Sequence, residues 1–206
     1  MSDLIVYTDF KSPYAYLAQA FIYDLADSTG ARIDWRPYTL DIPSYLGSAE
    51  LAAEGGVVGG QRSEHQWRRV RYSYMDCRRQ ANKQGLIILG TRKIWDSSLA
   101  AIGLLWAKRQ GEEILRGYAD RTFERFWRRD LDIENPAVVE AVLGEAGAET
   151  TGFQSYLVGE GRVEHDAVRA EAEVAGIFGV PSIIVDGELY WGREHIEDIR
   201  ARLLAS

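Results

Sequence analysis

The sequence holds one cysteine in 206 residues, Cys77, and no Cys-x-x-Cys pair. An internal disulfide is therefore impossible, and thiol–disulfide exchange cannot run on the chain's own sulfur. Histidine is nearly as scarce. His65, His165 and His195 stand far apart in sequence, with no close-spaced set for zinc and no serine triad, so no metal is expected. No run of eighteen apolar residues occurs, and Met1-Ser2-Asp3-Leu4 lacks the basic start and apolar stretch of a secretory signal. A cytoplasmic protein with no membrane partner is the expectation. The formal charge of −7 also argues against a nucleic-acid partner, which the surface as a whole would repel. Small substrates, neutral or locally recognised, fit this balance.

What is present suffices for one good core or two modest lobes sharing an interface, since 46% of residues are hydrophobic and 27% charged. Leu4-Ile5-Val6-Tyr7-Thr8 reads as a buried strand. Tyr14, Leu17, Ala18, Phe21, Ile22 and Leu25 then mark one face of a helix that Gly30 ends. Arg32-Ile33-Asp34-Trp35-Arg36 alternates as a second strand closed by Pro37, completing a βαβ unit. From about Tyr45 to Gly161 helical spacing dominates, through residues 64–84, 97–110, 112–128 and 136–144. The glycines from Gly55 to Gly60 read as a mobile loop at the start of this region.

The last fifty residues return to the first pattern. A helix is expected to carry Ala167, Ala170, Val174, Ile177 and Phe178 on one face. Ser182-Ile183-Ile184-Val185 and Leu189-Tyr190-Trp191 flank Asp186-Gly187, a strong hairpin signal. A final helix uses Ile196, Ile199, Leu203 and Leu204. The order βαβ, helical insertion, αββα is an α/β thioredoxin-like fold with an inserted all-helical domain. Residues 1–44 and 161–206 are assigned to the thioredoxin-like domain and residues 45–160 to the insertion.

Four segments together carry a family resemblance: Phe10-x-Ser12-Pro13-Tyr14, Arg71-Tyr72-x-x-x-Asp76-x-x-Arg79-x-Ala81, Phe178-Gly179-Val180-Pro181-Ser182 and Trp191-Gly192-Arg193-Glu194. They resemble the 2-hydroxychromene-2-carboxylate isomerases and kappa-class glutathione transferases of the DsbA-like thioredoxin superfamily. The resemblance puts Ser12 where a redox thioredoxin carries its nucleophilic cysteine. It implies a glutathione cofactor, a homodimer, and isomerisation of a small aromatic carboxylate. A glutathione transferase or peroxidase, and a non-catalytic binding protein of the same fold, are the alternatives.

Ser12 followed by Pro13 and an amphipathic run is a good helix N-cap with proline at the first helical position. A helix N-terminus also favours an anion placed there. The resemblance implies that the Ser12 hydroxyl donates a hydrogen bond to the glutathione thiolate. Pro181 sits where a strand begins and its missing N–H costs nothing. By resemblance it is a cis proline, with the Val180 backbone pairing to the cysteinyl part of glutathione. Arg193 and Glu194 open the last helix, where an acid is favourable as a cap. The resemblance implies contact with the γ-glutamyl end, although the families carry Asn or Ser followed by Asp here.

The families also place an asparagine loop after the second strand, where this chain reads Glu54-Gly55-Gly56-Val57. The arginines at 68, 69, 71, 78 and 79 form a solvated run, or supply one inward guanidinium for a substrate carboxylate. Arg71, Tyr72, Asp76 and Arg79 are the motif members among these candidates. Cys77 is expected to be a half-buried thiol without a nucleophilic role. Trp67, Tyr74, Trp95, Trp106 and Trp127 are expected in the core, some of them lining an apolar pocket between the lobes.

Overall fold

A computed structural model describes residues 3–52 and 56–205. The opening β-branched run forms strand β1 (Asp3–Thr8), in which Leu4, Val6 and Tyr7 are all buried, as a central strand covered on both faces requires. Helix α1 (Pro13–Thr29) follows and ends at Gly30, whose φ of 70° is the left-handed cap expected of glycine. Strand β2 (Arg32–Pro37) then runs parallel to β1, pairing Val6 with Trp35.

The central region comprises helix α2 (Ile42–Leu46), a hairpin of β3 (Ala49–Leu51) and β4 (Val57–Gly60), and helices α3 (Glu64–Gln84), α4 (Ser98–Lys108), α5 (Glu112–Trp127), α6 (Pro136–Glu145) and α7 (Phe153–Val158). Helix α8 (Glu160–Val174) leads back to the sheet. Strands β5 (Ser182–Val185) and β6 (Glu188–Trp191) precede a 3-10 turn (Arg193–His195) and helix α9 (Ile196–Ala205). The sheet order is β2-β1-β5-β6, with β5 antiparallel to β1 and to β6. Asp186 and Gly187 have φ of 47° and 78°, the two positive values that a tight type I′ hairpin turn demands. The expected thioredoxin-like arrangement is present. Among the described residues no helix is long and apolar enough to cross a membrane.

Aromatic packing joins the first helix to the helical region. The Phe10 ring lies 4.8 Å from Phe123 and 5.8 Å from Tyr118, both on α5, and Tyr16 stacks on Phe123 at 5.3 Å. A polar tie adds to it at β2, where Asp34 accepts hydrogen bonds from Lys108 and, at 2.8 Å, from Arg36 Nε. Burial raises the Asp34 carboxyl, but the bonds from Lys108 and Arg36 outweigh it and hold it below the ordinary 3.8. A depressed carboxyl stabilises the fold above its unfolded value and loses that contribution as pH falls through the folded one. Asp34→Asn is thus expected to cost about 1 kcal/mol at pH 7, discounted for partial exposure, with the difference from wild type closing as acidification protonates the folded-state carboxyl. Urea denaturation of both proteins across a series of falling pH values measures it.

Three expectations change. The glycine-rich stretch contributes β4, paired antiparallel with β3, where a mobile loop was expected; Glu54 and Gly55 lie outside the described residues. Helix α8 stops at Val174, which is 91% exposed, so Ile177 and Phe178 lie beyond it. Its buried positions are Gly161, His165 and Ala172. The cause is close helix contact, because a Cβ on Gly161 would stand 2.6 Å from Ile102 of α4 and Tyr156 of α7. Cys77 is fully rather than half buried, on the inward face of α3.

Candidate functional site

Proline at the first helical position starts α1, and Ser12 caps it by accepting the Ala15 N–H at 3.2 Å. The same hydroxyl donates to the Val180 carbonyl at 3.4 Å, long for an O–H···O bond and easily exchanged for a better acceptor. The Val180–Pro181 peptide is cis, and the Val180 N–H makes no hydrogen bond among the described residues. Pro181 accepts the Gly192 N–H at 3.0 Å, which brings the end of β6 alongside. Two glycines allow this approach: a Cβ on Gly179 would stand 2.7 Å from the Trp191 indole nitrogen, and Gly192 has a φ of 100°.

These turns line a cavity of about 1220 Å³ together with residues of α3 and the 91–95 segment. Arg193 reaches its rim, its guanidinium 5.2 Å from the Phe21 ring centroid and without a carboxylate partner among the described residues. The Glu194 carboxylate folds back over Gly192. All five expected site residues, Ser12, Val180, Pro181, Arg193 and Glu194, line this single cavity.

The lining as a whole is aromatic and cationic. Tyr14, Tyr45, Tyr74 and Trp95 supply the rings. Burial pushes the Tyr14 hydroxyl up to about 12, helped by Cys77 nearby, and burial does the same to Tyr45, so both remain neutral donors at physiological pH. The lining cations are Lys11, Arg62, Arg69, Lys93 and Arg193, and among the described residues the lining acids are Asp76 and Glu194. Arg62 donates to the Leu46 and Gly47 carbonyls at 3.0 and 3.2 Å. Lys93 pairs with Glu134. In a chain of formal charge −7, this concentrates positive charge where an anion can be enclosed.

Of the α3 motif, Asp76 faces the cavity, where it accepts bonds from Arg79 at 3.3 Å and from Gln80. Arg71 and Tyr72 are exposed and do not line it, because α3 turns that face to solvent. Arg69, one turn before Ser73, is the arginine of that run that does. Trp67 lies against Arg62, while Trp106 and Trp127 pack elsewhere, Trp127 in the core. Lys11, Tyr45 and Arg62 escaped sequence reasoning as site residues, and no local motif marks them; Trp95, expected in the core or at a pocket, and Phe178, a motif member not assigned to the site, line the cavity as well. His165 is buried, bonded to Thr39 at 2.8 Å and to Asp166 at 2.9 Å. No cluster of three metal-ligating side chains occurs among the described residues.

The Cys77 thiol is buried beneath this lining, and burial pushes it up to about 11 despite a hydrogen bond from Tyr14. At pH 8 it is therefore overwhelmingly protonated as well as shielded. Iodoacetamide at that pH is expected to leave the native protein unlabelled and to label Cys77 once urea unfolds it, as intact-mass measurement reports.

The family model of the DsbA-like thioredoxin domain matches residues 3–204. A 2-hydroxychromene-2-carboxylate isomerase of Sphingobium xenophagum is 27% identical over 201 residues, covering 96% of this chain and 96% of that protein. Another, of Pseudomonas putida, is 23% identical over 196 residues, covering 92% and 88%. A solved structure of a 2-hydroxychromene-2-carboxylate isomerase has a TM-score of 0.74 at 21% identity, covering 98% of this chain and 94% of that one. With nearly its whole length matched and the sheet, cis proline and capped first helix in place, the chain belongs to the DsbA-like thioredoxin family.

Proposed function

We propose that the protein is a glutathione-dependent isomerase acting on small aromatic carboxylates of the 2-hydroxychromene-2-carboxylate type. The observation that carries this reading is the Ser12 hydroxyl, at a helix N-terminus in the cavity wall, whose own proton is committed only to a long 3.4 Å bond to Val180 while its oxygen caps the helix. A hydroxyl there can turn to donate to an anionic sulfur, and the helix end adds to its stabilisation. Two relatives named as isomerases of this type, each matched over most of its length, support the reaction class.

The residues present fit glutathione. The unbonded Val180 N–H suits a peptide carbonyl, and Ser12 suits the sulfur. Arg193 has no carboxylate partner among the described residues, while Glu194, at the cavity lining, can meet an ammonium. When bound, glutathione would supply an ionised sulfur, the nucleophile needed for reversible addition to a conjugated double bond. The chain's own contribution is electrostatic and geometric. Ser12 holds the sulfur ionised, Val180 fixes the peptide, and the neutral hydroxyls of Tyr14 and Tyr45 orient an aromatic oxygen.

Calorimetric titration with glutathione at pH 7, together with spectrophotometric turnover of 2-hydroxychromene-2-carboxylate, tests the proposal. Heat of binding and turnover that stops when glutathione is withheld are expected. Absence of binding would remove the enzyme reading. Binding with conjugation of electrophiles and no isomerisation would replace it by a transferase.

A further inference from the structure

Among the cavity's cations, one is both interior and short of partners. The Lys11 side chain is 7% exposed, yet an ammonium carries three N–H donors and Lys11 Nζ makes a single hydrogen bond among the described residues, to the Trp95 carbonyl at 3.2 Å. Asp9 Oδ2 lies 3.9 Å away, beyond hydrogen-bond length. That oxygen already accepts the Leu40 N–H at 2.8 Å, and Oδ1 accepts the Lys11 backbone N–H at 3.2 Å. Asp96 is within electrostatic reach but is engaged by the Ser98 N–H at 2.9 Å. A buried cation with unsatisfied donors is costly unless another acceptor completes it.

The cavity is where that acceptor can stand. Lys11 lines it, and its ammonium reaches from the residue before Ser12 to the Trp95 carbonyl, so its charge lies between the first helix and the 91–95 segment. The other cations are placed differently. Lys93 is paired with Glu134, Arg62 is committed to two backbone carbonyls, Arg69 is exposed, and Arg193 stands over Phe21 at the rim.

We propose that Lys11 is the substrate-anion subsite: its ammonium takes a carboxylate oxygen of the aromatic substrate, and so selects carboxylates over neutral aromatics of the same shape. The proposal rests on the reading of the cavity as an aromatic-carboxylate site, but not on the thiol. A charge-assisted bond from an ammonium in a cavity wall is a strong discriminator, because the neutral analogue leaves the cation uncompensated.

The test compares chromone-2-carboxylate with chromone-2-carboxamide by calorimetry, without glutathione, on wild type and Lys11→Met. Wild type is expected to prefer the carboxylate by about tenfold or more, and the variant to bind both within about twofold, with carboxamide affinity unchanged. Because Lys11→Met leaves Asp9 buried beside no cation, the Asp9→Asn/Lys11→Met double variant removes both charges; the same loss of preference is expected there. A preference retained in either variant overturns the proposal. An equal loss of affinity for both compounds also overturns it, assigning Lys11 to holding the Trp95 segment. Failure of wild type to bind either compound overturns the carboxylate reading of the cavity and this proposal with it. Failure to bind glutathione leaves it standing.

Discussion

Ser12→Ala is expected to bind glutathione with a modest loss of affinity, yet to turn over substrate about ten- to a hundredfold more slowly at pH 7. A hydrogen bond donated to an anionic sulfur contributes roughly 1.5–3 kcal/mol, and each unit of thiol pKa corresponds to ~1.4 kcal/mol. Losing the bond therefore raises the bound thiol by about one to two units. The sign fixes the pH profile: the hydroxyl stabilises the ionised form, so its loss matters most below the thiol's own value. The deficit shrinks as pH rises through the variant's higher value. Ultraviolet thiolate absorbance against pH, measured on both proteins with glutathione, reports the displacement directly. Loss of the N-cap alone costs about 1 kcal/mol of stability and would lower the melting temperature without moving the titration. An unshifted titration would sink the assignment of Ser12.

The second large effect lies behind the site. Phe123 is 1% exposed, stacked on Tyr16 and tilted against Phe10, which precedes Ser12 by two residues. Phe123→Ala removes both ring contacts and is expected to cost about 3–5 kcal/mol, a large share of a typical domain's total of roughly 5–15. Phe123→Leu keeps much of the volume and should cost distinctly less. Urea midpoints at constant slope measure both, and an alanine loss below about 1 kcal/mol would contradict the packing described.

Local chemistry made the outer parts of the fold legible. Ser12-Pro13, Gly30 and Asp186-Gly187 each require one backbone geometry, and the structure adopts it at all three. The motifs likewise brought Ser12, Val180, Pro181, Arg193 and Glu194 to one cavity. The α8 face was not legible, because it docks through Gly161 and Ala172, whose smallness no hydrophobic period records. The β3–β4 hairpin escaped for a related reason. Val57 and Val58 are 61% and 65% exposed, so no apolar alternation marks its strands. Phe178 read as the end of a helix, but Gly176 at φ 83° ends that possibility and leaves the ring at the cavity wall. Lys11 belongs to no motif; only Trp95, eighty-four residues away, reveals what its ammonium touches.

The bond between Ser12 and Val180 joins residues 168 positions apart. A nascent chain on the ribosome thus carries the first half of the site for almost the whole of its synthesis without the second. The cavity therefore closes only after residue 180 and the turn at Gly192 have been made, so its assembly is a late event in the life of the chain rather than an early one.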